Sequence, residues 1–283
     1  MIVITGASGQ LGRLVIEELL KKRPAAEIVA AVRHPAKVAD LAARGVQVRV
    51  ADYTLPATLE AAFAGADQLL LISSSEVGQR VAQHNNAINA AKRAGVGLVA
   101  YTSILRADSS PMGLAAEHRE TEVLLKASGL PHVLLRNGWY TENYTASIPA
   151  AMQHGVFLGS AGDGRIASAA RADYAAAAAA VLTRADQSGQ VYELTGDEAY
   201  SLSDLAAEIT RQSGKTVVYK NLPEAEFKGV LLGAGLPEPI ANLLAESDVG
   251  ASKGGLFGDD HQLSRLIGRP TTTLAALVKA AIH

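Results

Sequence analysis

The sequence predicts an α/β fold in which helices cover both faces of a parallel sheet. Three observations support this prediction. Short apolar runs alternate with helix-like segments of about 10 to 15 residues through the first half of the chain. The first run lacks the alternation of a strand that faces water on one side, so we expect burial on both faces. A glycine-spaced turn follows that run. This order is typical of a Rossmann-type, doubly wound parallel sheet with right-handed crossovers.

The first apolar run, residues 1–5, leads into a turn with the sequence Gly-Ala-Ser-Gly-Gln-Leu-Gly at residues 6–12. The spacing is a variant of the G-x-G-x-x-G fingerprint, which binds the pyrophosphate of a dinucleotide between a strand and a helix N-terminus. Gly6 permits the tight turn, Gly9 lets the backbone approach the phosphates, and Gly12 permits close packing of the helix on the sheet. A purely structural glycine turn is the alternative, because such turns are common.

The end of the second strand indicates which dinucleotide is bound. That strand, residues 28–32, is followed by Arg33, which lies 21 residues after Gly12. A site for NAD would place Asp or Glu here, against the ribose 2′-hydroxyl. A guanidinium instead binds a 2′-phosphate through charge-assisted hydrogen bonds. The sequence therefore predicts NADP(H), with a solvated arginine at a strand end as the alternative.

Two further strand ends supply candidate contacts at the same edge of the sheet. Asp52 ends the third strand and either contacts the adenine or is an acidic turn residue. The fourth strand runs into Ser73, Ser74 and Ser75. These small hydroxyls either approach the nicotinamide ribose or cap a helix.

A polar and aromatic segment, residues 137–144, follows the sixth strand and contains the only tryptophan of the chain. Aromatic rings with polar ends suit a planar substrate at this edge. We expect Tyr140, Asn143 and Tyr144 to border that substrate. Tyr140 and Asn143 are the candidate catalytic residues, because either could hydrogen-bond an oxygen that gains negative charge during reduction. A hydrophobic plug between domains is the alternative.

The pattern loosens after this segment, which predicts a second domain. We expect a dinucleotide-binding domain at residues 1–140, and we expect a helix and a strand within residues 171–196 to return to it. Residues 141–283 are expected to form a smaller, partly interleaved C-terminal α/β domain that binds the substrate. Within that domain, residues 156–158 and 165–167 predict a short hairpin. A glycine-rich loop at residues 250–260 is either a lid or a connection.

Composition excludes several classes of protein. Hydrophobic residues make up 48% of the 283 residues, enough for a large core. No apolar run reaches the roughly 18 residues of a membrane span. The chain has no cysteine, so disulfides and cysteine-bound metals are excluded. A net charge of −2 predicts no nucleic-acid partner. The apolar run begins at Met1, so we expect no signal peptide and a cytoplasmic location.

Dehydrogenases of the short-chain type that reduce carbonyls pair a tyrosine with a lysine four residues later, and none of the eight tyrosines here has that lysine. His118 and Glu122 lie on one helix face, where His118 could donate a proton, but a surface ion pair between them is the preferred interpretation. The seven histidines show no H-x-x-x-H spacing, so we expect no metal site. Quinones accept hydride readily, so contact with a nicotinamide can suffice for their reduction.

Five segments spread over nearly the whole chain together resemble the bacterial type 2 NAD(P)H:quinone oxidoreductases, NmrA-like members of the atypical short-chain dehydrogenase/reductase family. They are residues 6–12, 73–80, 136–140, 171–174 and 248–255. The resemblance implies NADPH as cofactor, a quinone as substrate and no flavin. Carried over by position, it implies cofactor contacts at Gly6, Ala7, Ser8, Gly9, Gln10, Leu11, Arg33, Ser73, Ser74, Ser75, Asn137, Gly138, Trp139, Tyr140, Thr141, Glu142 and Arg171.

The predicted activity is therefore an NADPH-dependent reduction of quinones by direct two-electron hydride transfer. NmrA-like proteins also resemble redox sensors, which bind a dinucleotide and regulate a partner with little turnover. The missing tyrosine and lysine pair fits both classes. The aromatic segment after the sixth strand favours a small-molecule substrate and hence the enzyme.

Overall fold

The computed structural model describes residues 1–282, and the chain forms two compact units. The first unit comprises Met1–Ile104, Ala116–Asn137 and Arg171–Tyr192. The second comprises Leu105–Ala115, Gly138–Ala170 and the chain from Glu193 onwards. Residues 105–115 lie in the second unit, although the sequence placed them in the first domain. The predicted division into a cofactor domain and a substrate domain stays a prediction.

Nine strands lie within the part of the chain that the structure describes. They are β1 (Ile2–Ile4), β2 (Ile28–Val32), β3 (Gln47–Val50), β4 (Gln68–Leu71), β5 (Leu98–Ile104), β6 (His132–Asn137), β7 (Val156–Gly159), β8 (Val191–Leu194) and β9 (Val218–Asn221).

The helices follow the strands through most of the first unit and dominate the end of the chain. They are α1 (Gln10–Leu20), α2 (Ala39–Ala43), α3 (Pro56–Phe63), α4 (Arg80–Ala94), α5 (Ala115–Ser128), α6 (Glu142–Thr145), α7 (Ile148–His154), α8 (Arg171–Val181), α9 (Leu202–Ser213), α10 (Glu224–Gly233), α11 (Glu238–Ser252), α12 (Gln262–Ile267) and α13 (Leu274–Ile282), with 3₁₀ turns at Ala25–Glu27 and Pro35–Val38.

Seven strands form one sheet in the order β3-β2-β1-β4-β5-β6-β8. The pairs from β3 through β6 are parallel, with β1 hydrogen-bonded to both β2 and β4. The order of strands reverses between β1 and β4, and in such sheets ligands bind at the carboxyl ends of the strands beside this point. The predicted α/β fold with a doubly wound parallel sheet is confirmed, and β8 lies at one edge of the sheet.

The first unit is closed on one face by an alanine-rich helix. Helix α8 packs against α1, and eight of its 11 residues are buried. Its alanines suit this position because small side chains let two helices approach closely. Helix α1 turns Val15, Ile16 and Leu19 inwards, as its apolar spacing predicts. No helix within residues 1–282 is both long and apolar enough to cross a bilayer.

The hairpin predicted in the second unit is wrong. Strand β7 pairs in parallel with β9, from Val156 opposite Val218 to Gly159 opposite Asn221. Ile166, expected in the second arm of the hairpin, instead forms an antiparallel bridge with Tyr200. A short apolar run does not indicate which strand it pairs with, and we had predicted pairing with the nearest apolar run in the sequence. The parallel partner requires a long crossover, which the intervening chain supplies.

Candidate cofactor and substrate sites

The glycine turn between β1 and α1 has the geometry that its spacing predicts. Gly6 has a φ of +58°, a conformation that costs glycine little. The N–H of Gly9 donates to the carbonyl of Gly6 at 2.9 Å, which closes the turn. A Cβ atom on Gly12 would lie 2.5 Å from the Gly6 carbonyl oxygen and 2.7 Å from the Ala7 Cα. Gly12 thus lets the first turn of the helix pack against the glycine turn, where we had expected contact with the sheet.

The N-terminus of α1 is suited to bind an anion. Gly9 occupies the N-cap position and offers no side chain to the first N–H groups of the helix, and the first turn carries no acidic residue. Those N–H groups have no partner within a helix, and the helix dipole favours negative charge near them. A backbone with this geometry fits the pyrophosphate of a dinucleotide.

Arg33 follows β2 as predicted, and its guanidinium is largely exposed. Its Nη1 donates to Oε1 of Glu76 at 2.9 Å. The other carboxylate oxygen of Glu76 accepts a hydrogen bond from Nε2 of Gln83 at 2.7 Å. Sequence reasoning found Arg33 from its position after the strand. It missed Glu76, because nothing in the local sequence of residues 73–79 indicates a partner at the end of β2.

Asp52 behaves as an acidic turn residue. Its Oδ1 accepts hydrogen bonds from the N–H of Thr54 at 2.8 Å and from the Thr54 hydroxyl at 2.7 Å. These two bonds lower the pKa of the Asp52 carboxyl, with smaller contributions from the charges of Arg33 and His34. The carboxylate is thus used to close the turn after β3, which favours the turn interpretation over contact with adenine.

The main chain of the serine segment after β4 is fixed by buried side chains. The N–H of Ser73 donates to the Thr102 hydroxyl at 2.8 Å, and the N–H of Ser74 donates to Nε2 of His84 at 2.9 Å. Nε of Arg80 donates to the Ser74 carbonyl at 2.7 Å. Helix α4 begins at Arg80 without a side-chain cap, so the serines do not cap it. Ser73 is half-buried and Ser75 exposed at the carboxyl edge.

A network of buried polar side chains holds this segment in place. His84 accepts at Nε2, so its proton is on Nδ1, which lies 2.9 Å from the Thr121 hydroxyl. Burial lowers the pKa of His84 to about 3, which keeps the ring neutral and able to accept. Arg80 forms a buried ion pair with Glu117 at 3.1 Å. This network could not be predicted, because its members lie on two helices that only the fold brings together.

The predicted surface pair between His118 and Glu122 is wrong. His118 is buried, and its Nδ1 lies 2.7 Å from the Tyr101 hydroxyl. Glu122 is also buried and binds Nε and Nη2 of Arg136 at 2.9 and 2.6 Å. This face of α5 packs against the sheet and not against water. Desolvation lowers the pKa of His118 well below its usual range, so the ring is neutral and a poor source of protons.

The segment after β6 separates into buried and half-buried side chains. Asn137 ends β6 in the first unit, and within residues 1–282 its buried Oδ1 has no hydrogen-bond partner. In the second unit, Ala169 pairs with this segment: its N–H donates to the Trp139 carbonyl, and its carbonyl accepts from the N–H of Thr141, both at 3.0 Å. Trp139 is buried, whereas Tyr140 and Asn143 are half-buried. The structure therefore leaves Tyr140 and Asn143 partly accessible.

Two expected contact residues of this segment use their hydroxyls inside the second unit. The Thr141 hydroxyl lies 2.7 Å from that of Ser168, which lies 2.6 Å from the Tyr200 hydroxyl. The Tyr144 hydroxyl donates to Oδ1 of Asp248 at 3.1 Å. Thr141 and Tyr144 are buried and hold the segment in place. Arg171, another expected contact, begins α8 in the first unit and is half-buried.

Asp248 on α11 is a buried carboxyl that the sequence did not single out as functional. Burial raises the pKa of Asp248 to about 6, against the opposing effect of the Ser160 N–H, which donates to Oδ2 at 2.8 Å. Its other oxygen accepts from Tyr144. The carboxyl thus joins α11 to α6 and to the end of β7. Within residues 1–282, no group of three or more acidic or histidine side chains could hold a metal ion.

Comparison with known proteins agrees with this geometry. A family of NAD(P)H-binding proteins matches residues 6–185. Quinone oxidoreductase 2 of Escherichia coli strain K12 is 63% identical over 278 residues, which cover 98% of this chain and 97% of the relative. The chain therefore belongs to the NAD(P)H-binding family and, within it, to the family of quinone oxidoreductase 2. The resemblance stated from the sequence is confirmed.

Solved structures give the same result. The NADPH-dependent quinone oxidoreductase of Escherichia coli, in complex with NADPH, is 62% identical and superposes with a TM-score of 0.97 over 100% of both chains. The triphenylmethane reductase of Citrobacter sp., complexed with NADP(H), is 38% identical with a TM-score of 0.95, over 99% of this chain and 100% of that one.

Proposed function

We propose that this protein is an NADPH-dependent oxidoreductase that reduces quinones by direct two-electron hydride transfer. The observation that carries the proposal is a glycine turn with an anion-binding helix N-terminus and an arginine after β2, in a chain 62% identical to an NADPH-bound quinone oxidoreductase over its full length. The alternative, a redox sensor with little turnover, is favoured by no feature of the described residues.

The first unit is proposed to bind the cofactor. Backbone N–H groups at residues 6–11 bind the pyrophosphate, where the helix dipole stabilises its charge. Arg33 binds the 2′-phosphate through charge-assisted bonds. Ser73, Ser74 and Ser75 border the nicotinamide ribose, with the main chain of Ser74 held by His84 and Arg80. The carboxamide of Asn137, whose Oδ1 is buried without a partner among residues 1–282, is available to accept a hydrogen bond from the cofactor.

Further contacts are proposed for the residues that end β6 and follow it. Asn137, Gly138, Trp139, Tyr140, Thr141 and Glu142 are assigned to the cofactor by the resemblance, as is Arg171. Tyr140 and Asn143 are assigned to the quinone, since both are half-buried and carry polar groups. Either could hydrogen-bond the developing quinol oxygen, a role that contributes roughly 2.7 to 4 kcal/mol at comparable oxyanion sites.

NADPH supplies a hydride when bound, and one proton from water completes the reduction of the quinone to the quinol, leaving NADP⁺. The protein orients the two rings. We propose that no flavin and no metal take part. The absent tyrosine and lysine pair fits this scheme, because a quinone accepts hydride without prior protonation by the protein.

The proposal is tested by following NADPH oxidation at 340 nm with purified protein, with and without a simple benzoquinone. We expect oxidation that depends on both protein and quinone. Calorimetric binding of NADPH without quinone-dependent oxidation would instead support the redox sensor. The variant Tyr140→Phe is expected to lower turnover more than NADPH affinity, because the hydroxyl that it removes is proposed to bind the substrate.

A further inference from the structure

Arg33, which the proposed function assigns to the 2′-phosphate, is already bound to an anion of the protein. Its Nη1 lies 2.9 Å from Oε1 of Glu76. The second oxygen of this carboxylate accepts from Nε2 of Gln83, a buried residue of α4, at 2.7 Å. The carboxylate is therefore held from two sides, by the cation that the cofactor needs and by a fixed amide.

The position of Glu76 is determined by its main chain. The N–H of Glu76 donates to the Ser74 hydroxyl at 3.2 Å, and the peptide groups of Ser74 bind His84 and Arg80. The loop after β4 thus carries Glu76 towards the end of β2. In NAD sites a carboxylate at the end of the second strand itself binds the ribose. Here a carboxylate reaches the same place from another strand, which the fingerprint in the sequence does not reveal.

We propose that Glu76 is a specificity-determining residue: its carboxylate competes with the 2′-phosphate for Arg33 and reduces the preference for NADPH over NADH. This inference rests on the proposed function. Both anions require the same guanidinium, and like charges that share it repel each other. Because the side chains of Arg33 and Glu76 are 59% and 43% exposed, their ion pair is weak. The 2′-phosphate therefore either displaces the carboxylate from Arg33 or shares Arg33 with it. Either arrangement lowers the affinity for NADPH moderately.

The variant Glu76→Gln tests the proposal, because an amide oxygen can still accept from Gln83 while the charge is removed. We expect the dissociation constant of NADPH, measured by calorimetry, to fall about threefold to fivefold, with that of NADH changed less than about twofold. Adenosine 2′,5′-bisphosphate should gain affinity in the same way, and adenosine 5′-monophosphate should not. The shorter variant Glu76→Ser should change the preference in the same direction.

The matched control is Glu60→Gln. Glu60 forms an exposed ion pair with Arg93 at 2.7 Å in the same unit, so this variant makes the same change of net charge. It should leave the affinities for both cofactors unchanged. Thermal unfolding of each variant checks that the fold is retained.

Unchanged or weaker NADPH binding by folded Glu76→Gln would overturn the inference. Equal tightening of NADPH and NADH would also overturn it, because the effect would not act through the 2′-phosphate. A protein that binds NADPH and responds as expected, yet reduces no quinone, would contradict the proposed function and leave this inference standing. Failure of the wild-type chain to bind NADPH would overturn both.

Discussion

Two glycine-rich segments of this chain have different structural roles. In residues 6–12 the constraint is internal: Gly6 adopts a positive φ, and Gly12 lies against the Gly6 carbonyl. In residues 250–258, Gly254 also adopts a positive φ, but close contacts come from outside the segment as well. A Cβ atom on Gly250 would overlap Sδ of Met112, and one on Gly255 would lie 3.0 Å from Cγ of Pro111. The first segment can be understood from its own sequence, whereas the second requires knowledge of its partners.

The partners of the second segment come from the loop after β5. Nη2 of Arg106 donates to the carbonyls of Gly254 and Phe257 at 2.6 and 2.7 Å. Arg106 itself has a φ of 47°, which is uncommon for a residue other than glycine. A glycine turn beside a helix N-terminus therefore favours a ligand-binding role, whereas a glycine loop packed by distant residues favours a role in packing.

The largest effect is expected for Gly9→Val in the first segment. A branched side chain would occupy the space through which the backbone approaches the pyrophosphate. Loss of two hydrogen bonds to a charged group would weaken NADPH about a hundredfold or more. Calorimetry measures the affinity, and circular dichroism checks the fold. The matched control is Gly229→Val on α10, where a Cβ atom would meet nothing within 4 Å. A folded Gly9→Val protein with normal affinity would make the turn merely structural.

A smaller loss is expected for Arg33→Asp. A hydrogen bond to a charged group contributes about 1.5 to 3 kcal/mol, so NADPH should bind roughly tenfold to a hundredfold more weakly. NADH lacks the 2′-phosphate and should be affected much less. Affinities for both cofactors come from the same titration. Equal losses for the two would contradict the assignment of Arg33 to the phosphate.

In the second unit, Asp248→Asn should change stability with pH. The folded-state pKa of Asp248 is raised to about 6 from an ordinary 3.8, so the folded protein binds its proton more tightly than the unfolded chain. The wild type therefore loses stability as pH rises from about 4 to about 6, on the order of 2 kcal/mol from this group. Asparagine has no such loss. Denaturant unfolding gives the free energy of unfolding of both proteins at pH 4 and pH 7. The value for the variant minus that for the wild type should increase with pH. The same difference at both pH values would exclude the mechanism.

The smallest effect is expected for Gly255→Ala in the second segment. The added methyl group meets a backbone oxygen, so the loop must shift, at a cost of about 1 kcal/mol. Thermal unfolding should report the lower stability. NADPH affinity of the folded variant should stay within about twofold of the wild type. A large loss of affinity would assign this loop to the cofactor site and weaken the comparison.

Much of the first unit could be predicted because its signals are local. The order of strands, the glycine turn and the place of Arg33 depend on short stretches of sequence with a known geometry. Glu76 could not be predicted, because its partner Arg33 lies 43 positions away and follows another strand. His118 and Glu122 were placed on one helix face correctly, but spacing alone does not say whether that face meets water or the sheet.

In the second unit the decisive contacts are between distant residues. Strand β7 pairs with β9 although helices α8 and α9 and strand β8 lie between them in the chain, and Tyr144 contacts Asp248 at a separation of 104 residues. An apolar run or a lone carboxyl gives no indication of such a partner. Tyr140 likewise forms a parallel bridge with Ala169, a partner that the sequence pattern did not reveal.

The most direct test of the account uses NADPH deuterated at each face of the nicotinamide in turn, with a simple benzoquinone as acceptor. Direct hydride transfer in a single fixed orientation predicts a primary isotope effect on kcat/KM for one face only. That face should also lose its deuterium from the NADP⁺ formed, and quinol should appear in equal amount to NADP⁺. Transfer from both faces, or release of a one-electron product of the quinone by the purified protein, would contradict the account.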